Sequence, residues 1–339
     1  MKYPVEAMAA LKLEAQQEAQ EAQEAQEKSD SFTEEVARKA AVAKATNPAA
    51  PTRTLWGDAW KRLRRNKLAM LGMVWIIFMV IITLTADLWV PQTLGSPTES
   101  NSSNMATTSR LPPSLEHPFG TDTLGRDVLS RVIYGARVSL SVGLLATAIS
   151  TAIGLVMGAL AAYYGGIWDT IIMRMADVFL AFPYILFVIA LLAVVGSGIQ
   201  NVFIAIGILG WPSISRVFRS AILTVKENDY VDAARAMGAS DLRIVARHIF
   251  PNSVATIVVY ATMNIGGAIL TEAALSYLGM GVIPPEPSWG IMIQDGQTYL
   301  ATQPWLMVMP GIAILTTVLS FTLLGDGLRD ALDVKMKDA

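Results

Sequence analysis

Apolar residues run along this chain in blocks of about twenty, separated by shorter polar stretches. Leu68–Val90 is the first block and carries one charge, Asp87, near its far end. Val138–Tyr164 has no charged residue, and none occurs from Val178 to Ser215. That stretch is too long for one crossing; Gly196-Ser197-Gly198 and Asn201 divide it into Val178–Val195 and Val202–Leu223. Ser253–Leu278 is a fifth block, interrupted by Glu272, and Trp305–Leu324 is a sixth. A helix needs about 20 apolar residues to cross ~30 Å of hydrocarbon. The pattern therefore predicts an all-α, polytopic membrane protein with six transmembrane helices inside residues 68–328.

The flanks set the expected orientation. Residues 55–67 place Leu55, Trp56, Ala59, Trp60 and Leu63 on one helical face and then present Lys61, Arg62, Arg64, Arg65 and Lys67. This reads either as an amphipathic helix in the membrane interface or as an ordinary juxtamembrane helix. The cations predict a cytoplasmic start. The loop after the fourth block holds Arg216, Arg219, Lys226, Arg235, Arg243 and Arg247, and the tail 329–339 holds Arg329, Lys335 and Lys337. Residues Gly279–Pro304 have neither Lys nor Arg. Arg110, Arg126, Arg131 and Arg137 run against the trend, but the excess still puts both termini in the cytoplasm. Residues 1–54 contain the low-complexity run EAQQEAQEAQEAQE and no apolar core, which predicts a solvated, partly helical or disordered cytoplasmic tail without a cleavable signal.

Composition narrows the classes. Of 339 residues 53% are hydrophobic and 16% charged, and the net charge is −2. No global basic field argues for nucleic acid. Without cysteine, disulfides, thiol catalysis and Cys-type zinc sites are excluded, and the two histidines, His117 and His248, are too few for a histidine metal cage. Spans two to five are rich in small residues, as in Gly154-x-x-x-Gly158, which lets helices approach closely in lipid.

The loop 229–252, DYVDAARAMGASDLRIVARHIFPN, carries the most information. Ala233-Ala234-Arg235-Ala236-Met237 favours helix, Gly238 suits a left-handed helix end, and Ser240 with Asp241 suits a new helix start. Pro251 would open the next span. The expectation is two short helices with a sharp turn at Gly238, an L-shaped element able to dock into a partner's groove. A DNA-binding helix-turn-helix has the same outline, but this one lies between two membrane spans.

Asp232-Ala233-Ala234, Gly238 and His248-Ile249-Phe250-Pro251 resemble the signature of inner-membrane permease subunits of ABC importers. Asp232, His248 and Phe250 depart from it while the spacing is kept. His117-Pro-Phe-Gly-Thr-Asp122-x-x-Gly-Arg-Asp127, Glu272-Ala-Ala-Leu-Ser-Tyr-Leu-Gly-Met-Gly281 with Pro284-Pro285-x-Pro287-Ser-Trp-Gly290, and Gly325–Asp333 are similar to the C-type permease of dipeptide and oligopeptide importers, a branch that also contains nickel importers. The resemblance runs from about Trp56 to Asp333. It implies residence in a bacterial or archaeal cytoplasmic membrane. It also implies a translocation path shared with a second related permease, and two ATPase subunits that bind ATP and Mg. An extracytoplasmic binding protein would deliver peptide or, alternatively, nickel or another small solute. It implies that Asp232, Ala233, Ala234, Met237, Gly238 and Ser240 contact the ATPase. The chain itself has no phosphate-binding G-x-x-x-x-G-K-[ST] loop and is expected to hold no cofactor or metal and to catalyse nothing.

Four further residues stand out at the expected outer mouth. Asp122, Arg126 and Asp127 are candidates for a structural turn or a substrate grip, and Glu272 for a pathway group or a wet structural residue at the end of its span. Two other classes would carry different signals: a secondary transporter or channel would show paired repeats or broken helices, and an intramembrane enzyme would need a catalytic dyad at membrane depth.

Overall fold

The computed structural model describes residues 55–99 and 105–332; residues 1–54, with the Glu/Ala/Gln repeat, lie outside the described part. The described residues form helices α1 (Leu55–Leu63), α2 (Lys67–Thr93), α3 (Met105–Thr108), α4 (Val128–Tyr164), α5 (Gly166–Ala181) and α6 (Tyr184–Val195). After these come α7 (Ile199–Lys226), α8 (Asp229–Ala236), α9 (Asp241–Ile244), α10 (Phe250–Tyr277), α11 (Trp289–Gly296) and α12 (Trp305–Leu332). Among the described residues, five helical segments are long and apolar enough to cross a membrane, and α5 with α6 makes a sixth only as a broken pair.

The third expected span needs correction. Val178–Val195 is not one helix: α5 and α6 meet at 89° across Phe182-Pro183. Proline disfavours the helical conformation of the residue before it, and Phe182 is extended at φ −92°, ψ 143°. The expected boundaries of the second and sixth spans were also too short. Helix α4 begins ten residues before Val138, because Asp127 caps it by accepting from the Ser130 amide at 2.9 Å. Helix α12 runs past Leu324 into the residues expected to be tail.

Packing follows small residues. On α2, Ala69, Gly72, Ile76, Met79, Thr83, Ala86 and Val90 repeat at alternating steps of three and four, while Leu68, Leu71, Val74, Ile81, Leu84 and Leu88 face outward. That is the narrow seam of a helix with partners on one side and lipid on the other. The core helices α4 and α7 pack along their length. A Cβ on Gly154 would lie 2.7 Å from Ile214, and one on Gly158 would lie 2.7 Å from the Ser215 carbonyl. The Ser150 hydroxyl donates to the Gly207 carbonyl across the same contact at 3.0 Å. The expected Gly154-x-x-x-Gly158 packing face therefore meets α7.

Helix α1 folds back through a tight corner. Ala59 and Leu63 are buried against Ala69 and Ala331, so two of the five residues of its expected apolar stripe pack on protein. Trp60 remains exposed, with the Arg64 guanidinium 5.3 Å from its ring centroid.

Candidate functional site

Helix α4 has 37 residues and is roughly 55 Å long at 1.5 Å per residue. Its C-terminal end meets the loop 229–252 and its N-terminal end meets the Asp122 cluster, so the two groups of candidate residues lie at opposite ends of the bundle.

At the loop end, α8 stops in a Schellman arrangement. The Gly238 amide donates to the Arg235 carbonyl at 3.0 Å and the Ala239 amide to the Ala234 carbonyl at 3.1 Å. The motif requires a left-handed residue at Gly238, whose φ is +80°. Val231, Ala234, Ile244 and Ile249 are buried together with Phe218 and Ile222 of α7, Ile257 of α10, and Ala162 and Tyr163 of α4. The Tyr163 hydroxyl donates to Asp241 at 2.5 Å. Lys226 donates to the Ala162 and Tyr163 carbonyls at 3.2 and 2.7 Å, capping the end of α4. The loop is therefore pinned to three spans at once.

Of the residues assigned to partner contact, Asp232, Ala233, Met237, Gly238 and Ser240 are exposed. Ala234 is not; it faces the core. Asp232 pairs with Arg235 at 3.1 Å across one turn. Ser240 contributes its backbone carbonyl to Ile244, and Asp241 is engaged by Tyr163, so the second helix is held by tertiary contacts more than by its own cap.

That second helix is also not separate from the fifth span. From Asp241 the chain stays helical to Tyr277, passing through a π turn at Val245–Ile249. Pro251 explains the turn. It cannot donate to Arg247, and its ring crowds the preceding turn; the wider π geometry relieves both. Asn252 donates to the His248 carbonyl at 2.6 Å, and Ser253 to the Ile249 carbonyl at 3.0 Å. His248 lies against the Tyr230 ring.

Beside the loop, α5 is held to α7 by two ion pairs. Arg219 donates from Nε and Nη2 to the two Asp169 oxygens at 2.6 and 2.5 Å, and Arg216 pairs with Asp177. The cations after Pro212 thus tie the broken span to its neighbour. The sequence showed the arginines but not which acids they would meet.

At the opposite end, Asp122 accepts from the Leu124 and Arg126 amides at 2.8 and 2.9 Å and from the Arg126 side chain at 2.7 Å. Asp127 does not join this pair; it caps α4 and binds His117 Nδ1 at 2.9 Å. A buried residue outside the predicted set, Arg131, reaches Asp122 at 3.5 Å and Asp295 of α11 at 3.7 Å. Burial pushes the Asp295 carboxyl above its usual range, while Arg131 and Arg126 pull it down. Arg137 pairs with Asp87 at 3.1 Å. The cations that ran against the charge count are therefore largely neutralised within the fold.

Glu272 is fully buried rather than wet. Its two oxygens accept from Ser139 of α4 and Ser276 of α10, each at 2.7 Å. Ser288, the cap of α11, adds a third hydroxyl to its surroundings. The residue joins three elements, and the serines that make this possible carried no signal of their own in the sequence.

Comparison with known proteins decides the family. Residues 150–338 match the binding-protein-dependent transport system inner membrane component, and residues 54–113 match the N-terminal transmembrane domain of oligopeptide transport permease C. The chain belongs to the ABC importer permease family. The glutathione transport system permease protein GsiD of Shigella boydii serotype 4 (strain Sb227) is 44% identical over 302 residues, covering 88% of this chain and 98% of that one. The protein of the same name in Escherichia coli O6:K15:H31 (strain 536 / UPEC) is 45% identical over 285 residues, covering 84% and 92%. An inward-facing structure of the MetNI methionine ABC transporter aligns at a TM-score of 0.51 with 20% identity, covering 60% of this chain and 96% of that one, which shows a shared fold. This permease is a multi-pass membrane subunit of the dipeptide and oligopeptide branch. It is not an enzyme; ATP hydrolysis belongs to the subunits with which such permeases work.

Proposed function

We propose that this permease forms a peptide translocation path with a second, related permease and is driven through the loop 229–252 by two ATPase subunits that bind ATP and Mg. The carrying observation is the loop's two-sided construction. Asp232, Ala233, Met237 and Gly238 stand exposed on one side, while Val231, Ala234, Ile244 and Ile249 bury the other against α4, α7 and α10. A partner pushing on the exposed side would move three spans together, because their shared core deforms as a unit. In this reading the loop end is cytoplasmic and the Asp122 end faces an extracytoplasmic binding protein.

The substrate is a short peptide of the glutathione class. The reading draws on the near full-length similarity to permeases named for glutathione transport. The test is to purify the assembled complex and measure ATP-dependent uptake of labelled glutathione, a neutral dipeptide and nickel in proteoliposomes. Peptide uptake with an associated ATPase pair is expected. Uptake of nickel alone would reject the peptide assignment, and transport by the chain without an ATPase would reject the coupling assignment.

A further inference from the structure

The corner between α1 and α2 is the most strongly charged exposed patch outside the sites above. Lys61, Arg64, Arg65 and Lys67 lie within seven residues and are all exposed. None of the four has an ion pair among the described residues. The charges on the packed end of α12 are Asp326, Arg329 and Asp330, all exposed, and α1 itself carries Asp58 and Arg62.

The backbone of the corner is held by packing and hydrogen bonds. Ala59 and Leu63 are buried on Ala69 and Ala331. The Arg64, Arg65 and Asn66 amides donate to the Trp60, Arg62 and Leu63 carbonyls at 2.9–3.0 Å, and the Asn66 side chain caps α2 at 3.1 Å. The turn is fixed, so the four charges stay gathered at the start of a membrane span.

Apolar groups flank the cations. Trp60 is 44% exposed, and Leu68 and Leu71, the first outward residues of α2, are 62% and 64% exposed. An indole beside arginines at the head of an apolar helix matches the boundary between headgroups and acyl chains. Water-soluble anions would leave these apolar groups without a partner; a phospholipid supplies both a phosphate for the cations and chains for Leu68 and Leu71.

We infer that this corner is a binding site for the phosphate headgroup of an anionic phospholipid, held by Lys61, Arg64, Arg65 and Lys67 with Trp60, Leu68 and Leu71 against its acyl chains. The site holds α1 at the membrane surface and thereby supports its packing on the end of α12.

The test uses the full chain in its assembled complex, placed in nanodiscs of phosphatidylcholine with or without phosphatidylglycerol. Native mass spectrometry reads the retained lipid. Phosphatidylglycerol should be retained over phosphatidylcholine, and R64Q/R65Q should weaken its retention about 30-fold, which is about 2 kcal/mol at 1.4 kcal/mol per tenfold and fits two cations at an anionic surface. The exposed control R174Q, outside the loop 229–252, should leave retention unchanged. Equal retention by wild type and R64Q/R65Q, or no preference for phosphatidylglycerol, overturns the site. Displacement of the lipid by millimolar inorganic phosphate also overturns it, in favour of a soluble anion. Low wild-type retention that rises on deleting residues 2–50 overturns it too, because the acidic repeat would then be the occupant. The readout does not depend on transport, so it stands apart from the peptide assignment.

Discussion

Replacing Gly238 separates two reasons why the turn of the proposed coupling loop needs glycine. At φ +80° a residue with a Cβ costs about 1–2 kcal/mol of backbone strain. An ideal Cβ at this position meets no atom within 4 Å, so no steric term adds to it inside this subunit. At 1.4 kcal/mol per tenfold, Gly238→Ala should open the turn about 5- to 30-fold more often. Gly238→Asn should cost less, because asparagine tolerates the left-handed region, and Gly238→Val more, because a branched Cβ does not. Hydrogen exchange at the Gly238 and Ala239 amides, which close the turn onto Arg235 and Ala234, reads this directly. Peptide uptake and ATPase activity of the complex read its consequence. The predicted order of damage is Asn, Ala, Val. An order that follows side-chain size, with Asn worse than Ala, would refute the backbone argument and place the requirement in a contact with the partner. Unchanged exchange in the Ala and Val variants would refute it outright, and intact coupling in a normally assembled Gly238→Val complex would remove the loop's mechanical role.

Further outcomes are open to measurement. Glu272→Ala removes the acceptor of two buried serine hydroxyls and should cost about 1–3 kcal/mol in thermal stability; Glu272→Gln, which keeps one carbonyl, should cost less, and unaltered transport in the Gln variant assigns the residue to structure. Gly158→Leu drives side-chain atoms into the Ser215 carbonyl, 2.7 Å from the first added carbon, and should lower stability by about 1–3 kcal/mol or more, whereas the same change at the open Gly311 should cost much less; thermal unfolding in detergent compares them. Truncation of the Glu/Ala/Gln tail to about Thr52 should leave peptide uptake largely intact, and a strong loss of uptake would show that the tail takes part in transport.

Length and polarity made α2, α10 and α12 legible in the sequence, because a bilayer admits only a helix of sufficient apolar length with its backbone satisfied internally. Gly238 was legible for a related reason: a helix end needs a left-handed residue locally, whatever surrounds it. The loop's spacing carried the family resemblance for the same local cause. Three features were decided only by tertiary structure. The 89° break at Phe182-Pro183 lay inside an unbroken apolar stretch, where hydropathy has no contrast to mark a bend, and a proline alone does not decide one, since Pro212 and Pro310 lie inside continuous helices. The inward turn of Ala234 depends on α4, α7 and α10 meeting beneath α8. Glu272 became a three-element tie because Ser139 and Ser288 arrive from residues 133 and 16 positions away. Sequence set which segments must be helical in lipid. Which polar groups those helices hide was settled by what other segments bring to the same place, since a buried carboxylate is tolerated only where partners converge on it.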